Sequence, residues 1–277
     1  MARVSVVTPT FGRAMYLKEA RACFQEQTYE DREWVVLDDS PEPDSDLSRE
    51  TDKRIRYLHS SRRMSLGEKR NELMKASTGD IIVHFDDDDY YAPSYLDDVM
   101  NRIRSKDVLL LNGFFVAPLD LDCFGYYLTT VKRGLGFAFG KKRTGITPLA
   151  FESLNIPWIH LCWGFSYVYT RKVWKRGMFP EATGMEDRIF IARAIENGFK
   201  VGYYQDMCAN AVHTVHASAT SNCYSQFLIP SFMIQSLNRH AYDKIARLKE
   251  VYRTEFGAHR AGEAPASVAG SPVIALR

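Results

Sequence analysis

The apolar run Ile81-Ile82-Val83-His84-Phe85 ends abruptly in four consecutive carboxylates, Asp86-Asp87-Asp88-Asp89, followed by Tyr90-Tyr91. A short β-branched run with that ending reads as a buried strand delivering acidic side chains to its C-terminal edge, where open α/β sheets hold their ligands. Adjacent negative charges repel one another unless a cation sits among them. All-oxygen ligands select hard divalent ions, Mg²⁺ or Mn²⁺, over zinc or copper. The competing reading is a solvated acidic turn that caps a helix beginning near Pro93-Ser94.

The same pattern recurs upstream. Val4-Ser5-Val6-Val7-Thr8 is a near-continuous apolar strand, broken by Pro9-Thr10-Phe11-Gly12-Arg13, and Ala14 to Gln27 carries Leu17, Ala20 and Cys23/Phe24 at helical spacing. Trp34-Val35-Val36-Leu37 is a second strand ending in Asp38-Asp39-Ser40, with a loop at Pro41-Glu42-Pro43-Asp44. Ile55 to Leu58 reads as a third strand and Leu66 to Ala76 as a helix ahead of Gly79. Strands alternating with helices imply an α/β domain with a mainly parallel central sheet and right-handed crossovers. Thr8/Thr10, Asp38/Asp39 and Asp86 to Asp89 then line one edge of that sheet, which strengthens the metal-site reading over the solvated turn.

The chain is long enough, and at 45% hydrophobic apolar enough, for one large α/β domain. It divides into a first half, residues 1–112, and an elaborated second half, 113–256, with a disordered tail from 257 to 277 rich in Ala, Gly, Pro and Ser. Lys and Arg (36) nearly balance Asp and Glu (34), so no global field recruits nucleic acid or an acidic membrane. Five cysteines without a CxxC pair argue against both a disulfide framework and a structural zinc site. No leader-like N-terminus and no apolar stretch long enough to span a bilayer are visible, so the expectation is a cytoplasmic protein. Neither GxxxxGK[ST] nor GxGxxG occurs between a strand and a helix, and a bound diphosphate must be neutralised another way.

In the second half, Thr130 to Gly145 holds five basic residues and no acid, which reads as a mobile loop over an anionic ligand or as a solvated excursion. Trp163 offers an aromatic face to a sugar, or simply packs in the core. Glu186 and Asp187 open a helix, where acids also serve as ordinary dipole-favouring caps. Val212-His213-Thr214-Val215-His216 reads as an alternating strand with both histidines on one face, able to ligate metal or to bond backbone carbonyls.

Taken in order, Val4 to Arg13, Leu37-Asp38-Asp39-Ser40, Gly67-Glu68-Lys69-Arg70-Asn71, Ser77-Thr78-Gly79-Asp80, Asp86 to Asp89 and Met185-Glu186-Asp187 resemble the motif series of the family two glycosyltransferases of GT-A fold, over about residues 3 to 220. The resemblance implies the DXD motif at Asp86-Asp87-Asp88, with Asp86 on the ribose or sugar and Asp88 holding a Mn²⁺ or Mg²⁺ on the donor diphosphate. It implies nucleotide-sugar contacts at Thr8, Pro9, Thr10, Arg13, Asp39, Lys69, Arg70, Asp86 and Asp87, with Asp39 accepting from the ring N–H of uracil. Asp187 becomes the general base, His216 (or His213) the last metal ligand, and Trp163 and Glu186 acceptor contacts. Two departures stand out. Asp39 runs into Ser40-Pro41 where Asp-Gly-Ser is usual, and the Gln-x-x-Arg-Trp motif of processive synthases is missing after Asp187.

The resemblance thus implies a distributive, inverting transferase moving a sugar from a UDP-sugar to a hydroxyl of a glycan, glycoprotein, lipid or other acceptor. Direct displacement needs a base for the acceptor proton and an electrophile for the departing diphosphate, and Asp187 and a metal at Asp88 supply them. The rival readings are a metal-dependent nucleotide-sugar hydrolase or phosphatase, whose signature is donor hydrolysis without an acceptor, and a catalytically inactive carbohydrate-binding domain.

Overall fold

The computed structural model describes residues 2–131, 135–139, 146–150, 161–216, 219 and 223–260. In the first half, the elements are β1 (Val4–Thr10), α1 (Ala14–Gln25), β2 (Arg32–Asp38), β3 (Ile55–His59), α2 (Leu66–Ala76), β4 (Ile81–His84), β5 (Tyr90–Tyr91) and α3 (Tyr95–Ile103). The second half adds β6 (Val108–Pro118), β7 (Cys123–Leu128), β8 (Leu135–Phe139), β9 (Ile146–Ala150), β10 (Val168–Thr170), α4 (Arg171–Arg176), α5 (Glu186–Glu196) and β11 (Val201–Gln205). It ends with β12 (Ala211–Val215), β13 (Cys223–Ser225), β14 (Phe227–Pro230), α6 (Ser231–Leu237) and α7 (Arg239–Arg260). The last helix runs past the expected boundary at 256. Residues 261–277 of the expected tail, and 132–134 and 140–145 of the basic stretch, lie outside the described residues.

The central sheet has the order β14-β7-β6-β10-β4-β1-β2-β3. Its β4-β1-β2-β3 half is parallel, as the strand and helix alternation predicts. Beyond β4 the sheet is mixed, not mainly parallel. The short β10 is inserted antiparallel between β4 and β6, and β7 and β14 continue antiparallel. The long β6 is paired in parallel by β11 along its first half and by β12 along its second. That arrangement returns the chain to the strand ends at His213, which no local pattern announces. β13, β8 and β9 form a separate small antiparallel sheet.

Alternation along β1 and β2 sends Val4, Val6, Trp34 and Val36 to one face, against α1, α3 and α7, and Val7 and Val35 to the other, against α2 and α5. Both faces are covered, which explains why these strands read as continuous apolar runs. A capping box fixes the start of α2: Ser65 Oγ accepts from the Glu68 amide at 3.2 Å, and Glu68 Oε2 accepts from the Ser65 amide at 2.7 Å. Gly67 then lets the 180–182 segment cross the first turn, since a Cβ there would lie 1.8 Å from the Pro180 carbonyl oxygen. This close crossing brings Glu186 and Asp187 to the side chains of α2. No helix among the described residues is long and apolar enough to cross a membrane.

Candidate active site

Parallel pairing of β2, β1 and β4 gathers their C-terminal ends on one edge. Thr10, at the end of β1, donates its hydroxyl to Asp87 Oδ2 at 2.6 Å. Arg13, in the turn before α1, donates through Nη1 to Asp87 Oδ1 at 2.7 Å and to Asp88 Oδ2 at 2.8 Å. Asp39 follows β2 and accepts from Lys69 Nζ (2.8 Å), Arg63 Nη1 (2.5 Å) and the Met64 amide (2.7 Å). Burial works to raise the Asp39 carboxyl, but Lys69 and the other donors hold it below its ordinary value. Lys69 also reaches the Thr10 carbonyl at 2.9 Å, so this buried lysine ties α2 to both strand ends.

The acid run divides its labour. Asp86, Asp88 and Asp89 each place a carboxylate oxygen within 4.8 Å of the others, whereas Asp87 is engaged by Thr10 and Arg13. Burial pushes the Asp86 carboxyl up to about 8, the Asp89 charge adding to it against the pull of Arg70. Asp88 behaves oppositely: burial raises it, but Arg13 and then His216 outweigh burial and hold it below the usual carboxylate range. His216 Nε2 lies 2.9 Å from Asp88 Oδ2, and His213 Nδ1 lies 2.9 Å from Asp89 Oδ2. Sequence alternation placed both histidines on one strand face, and this is corrected. Their separation is odd, so a continued strand would turn them apart; β12 stops at Val215 and His216 follows it, stacked on Tyr16 at 4.7 Å while His213 stacks on Phe165 at 4.8 Å. Each histidine therefore meets a different carboxylate.

Thr8 is turned into the sheet. It is 0% exposed, its hydroxyl donating to the Phe85 carbonyl and accepting from Trp34 Nε1, both at 2.8 Å. Those two bonds take up its hydroxyl and lock β1 to its neighbours.

Two clefts of about 400 Å³ each adjoin at Leu66, Arg70, Asp86 and Thr183. The first is walled by Pro9, Thr10, Arg13, Lys69 and Asp87, with Phe11 and Arg63 at its mouth. The second is walled by Trp163, Glu186, Asp187 and His213. Trp163 is a wall and core residue at once, packed edge-on against Phe114 at 5.1 Å and Tyr127 at 4.8 Å. Arg70 is buried at the junction and donates to Glu186 Oε1 at 2.8 Å, so it stands away from the Asp39 end with which the motif series groups it.

Asp187 is not the helix cap. Met185 occupies that position in the left-handed region (φ 67°) with no side-chain cap bond, and Asp187 Oδ1 accepts from the Arg188 amide at 2.6 Å. Burial pushes its carboxyl up to about 6, Glu186 adding to it and Arg70 opposing. The turn at Gly164 approaches so closely that a Cβ there would lie 2.7 Å from Arg70 Nη2 and 3.2 Å from Asp187 Oδ2. Arg63 is the site residue that the sequence does not reveal, and Asp89, read there only as part of the acid run, joins Asp86 and Asp88. Arg63 lies in a loop with no periodic signal.

The family model described as "Glycosyl transferase family 2" matches residues 5–128. Among curated proteins the chain is similar to the glycosyltransferase GlyG of Streptococcus pneumoniae, at 24% identity over 131 residues, covering 46% of this chain and 44% of the relative. The match thus spans less than half the length of that relative. Among solved structures it is similar to S. aureus TarS 1-349 in complex with UDP-GlcNAc, with a TM-score of 0.58 and 18% identity over 92% of this chain and 73% of that one. The mannosyltransferase PcManGT of Pyrobaculum calidifontis, in complex with GDP-Man and Mn²⁺, gives a TM-score of 0.54 and 17% identity over 95% and 76%. The chain thus has the GT-A fold, and its residues 5–128 match the model of glycosyl transferase family 2.

Proposed function

We propose that the chain is a metal-dependent, inverting glycosyltransferase that moves a sugar from a UDP-sugar to an acceptor hydroxyl, one sugar per encounter. The observation that carries this reading is the shared wall of the two clefts. Asp86 and Arg70 border both, with Asp87 and Arg13 on the first side and a carboxyl raised to about 6, Asp187, on the second. A donor in the first cleft presents its anomeric carbon at the junction, and an acceptor in the second presents its hydroxyl to Asp187.

Asp86, Asp88, Asp89 and His216 fit a hard divalent cation, Mn²⁺ or Mg²⁺, because three clustered carboxylate oxygens and a nearby ring nitrogen leave negative charge that burial makes costly. Such an ion supplies Lewis-acid neutralisation of the departing diphosphate. Arg13 adds a fixed positive charge beside it. Asp39 and Lys69 meet the base end of the nucleotide, with Pro9 and Thr10 as the floor. Asp187 takes the acceptor proton as the hydroxyl oxygen bonds to the anomeric carbon and the carbon–oxygen bond to the diphosphate breaks on the opposite face. Glu186 and Trp163 line the acceptor side; the acceptor is a hydroxyl of a glycan, glycoprotein, lipid or other molecule. The five free cysteines accord with a cytoplasmic setting.

Nucleoside diphosphates in Mn²⁺ should stabilise the protein against heat in the order UDP above thymidine diphosphate and GDP, since any ligand that binds only the folded state raises Tm. Thymine shares the uracil edge, so the ribose 2′-hydroxyl must separate those two. Strongest stabilisation by GDP, the nucleotide of the PcManGT complex, would refute the uridine assignment.

A further inference from the structure

Arg63 sits on the loop between β3 and α2, and its guanidinium carbon stands 3.5 Å from the centroid of the Phe11 ring. Its Nη1 donates to Asp39 Oδ1 at 2.5 Å. Asp39 has a fully buried carboxylate with two other donors, the buried Lys69 and the Met64 amide, whereas the Arg63 side chain is 57% exposed. Of the three, Arg63 is the donor that can leave without unpacking the fold. A guanidinium is flat, stacks on aromatic faces and donates N–H groups in its own plane. A uracil ring has the same two properties: a π face and an in-plane N–H.

We infer that Arg63 is a base-mimicking plug, holding the Phe11 face and the Asp39 carboxylate that the uracil of the donor takes over, so that its departure sets donor affinity. The inference rests on the reading that a uridine nucleotide meets Asp39. A site competent for only a fraction of the time binds its ligand more weakly by that fraction. Arg63→Ala removes the plug. Arg63→Lys keeps the charge but loses the planar fork that fits ring and carboxylate together.

Calorimetry with UDP in Mn²⁺ should therefore show both variants binding roughly threefold to tenfold more tightly than the wild type. Pyrophosphate, which has no base, should bind Arg63→Lys and wild type equally. UDP binding by the wild type with unchanged or weaker affinity in the variants overturns the plug and leaves the donor reading standing. Tightening confined to Arg63→Ala overturns it too, since any cation at that position would then compete. A wild type that binds GDP and not UDP overturns the uridine reading itself.

Discussion

Asp187→Asn should lower sugar transfer by roughly two to four orders of magnitude, the usual worth of general-base catalysis, with Tm and UDP affinity unchanged. The amide is nearly isosteric and can still accept from the Arg188 amide, so the first turn of α5 survives. It cannot take the acceptor proton. With Asp187 raised to about 6 by burial and Glu186, a base that works deprotonated gives a kcat/KM that climbs with pH through that value, about tenfold lower one unit beneath it. The Asn variant should lack this acid limb. Were Asp187 there only to accept from the Arg188 amide, Asn would serve almost as well. Near-normal turnover would return Asp187 to a structural role.

Arg70→Met should be the most destabilising substitution at the site. It leaves Glu186, 2% exposed, as a buried charge without its partner, which costs about 3–5 kcal/mol. In a domain of this size that is a fall in Tm on the order of 10 °C. Arg70 also draws the Asp187 carboxyl down, so its loss should move the acid limb of kcat/KM above about pH 6. The double variant Arg70→Met/Glu186→Gln removes both charges and should recover most of the stability. An unchanged Tm in the single variant would show that the pair is solvated.

The parallel half of the sheet was legible because each of its elements carries a local signal. Residues Leu66 to Ala76 form α2 as the pattern predicts, with the Ser65 and Glu68 box at its start, and the runs at β1, β2 and β4 are continuous because helices bury both their faces. The second half lacked such signals. The parallel pairing of β11 and β12 along β6 joins residues far apart in sequence, and the short β10 is defined only by the two strands it fits between. The acid run announced its chemistry, but the division within it did not. Asp87 is turned to Thr10 and Arg13, and Asp89 is left to join Asp86 and Asp88, by contacts that span most of the first half. The burial of Thr8 depends on an indole from β2, and the plug at Asp39 on an arginine 24 residues away. Neither leaves a mark at its own position in the sequence.

The acid run should hold a nucleoside diphosphate only through a divalent cation. Calorimetric titration of UDP in Mn²⁺ and in EDTA, on the wild type and on Asp88→Asn, decides this. Binding heat should be present for the wild type in Mn²⁺, lost in EDTA, and lost in both buffers for the variant. Equal UDP affinities in Mn²⁺ and EDTA would leave the acid run without a role in holding a cation.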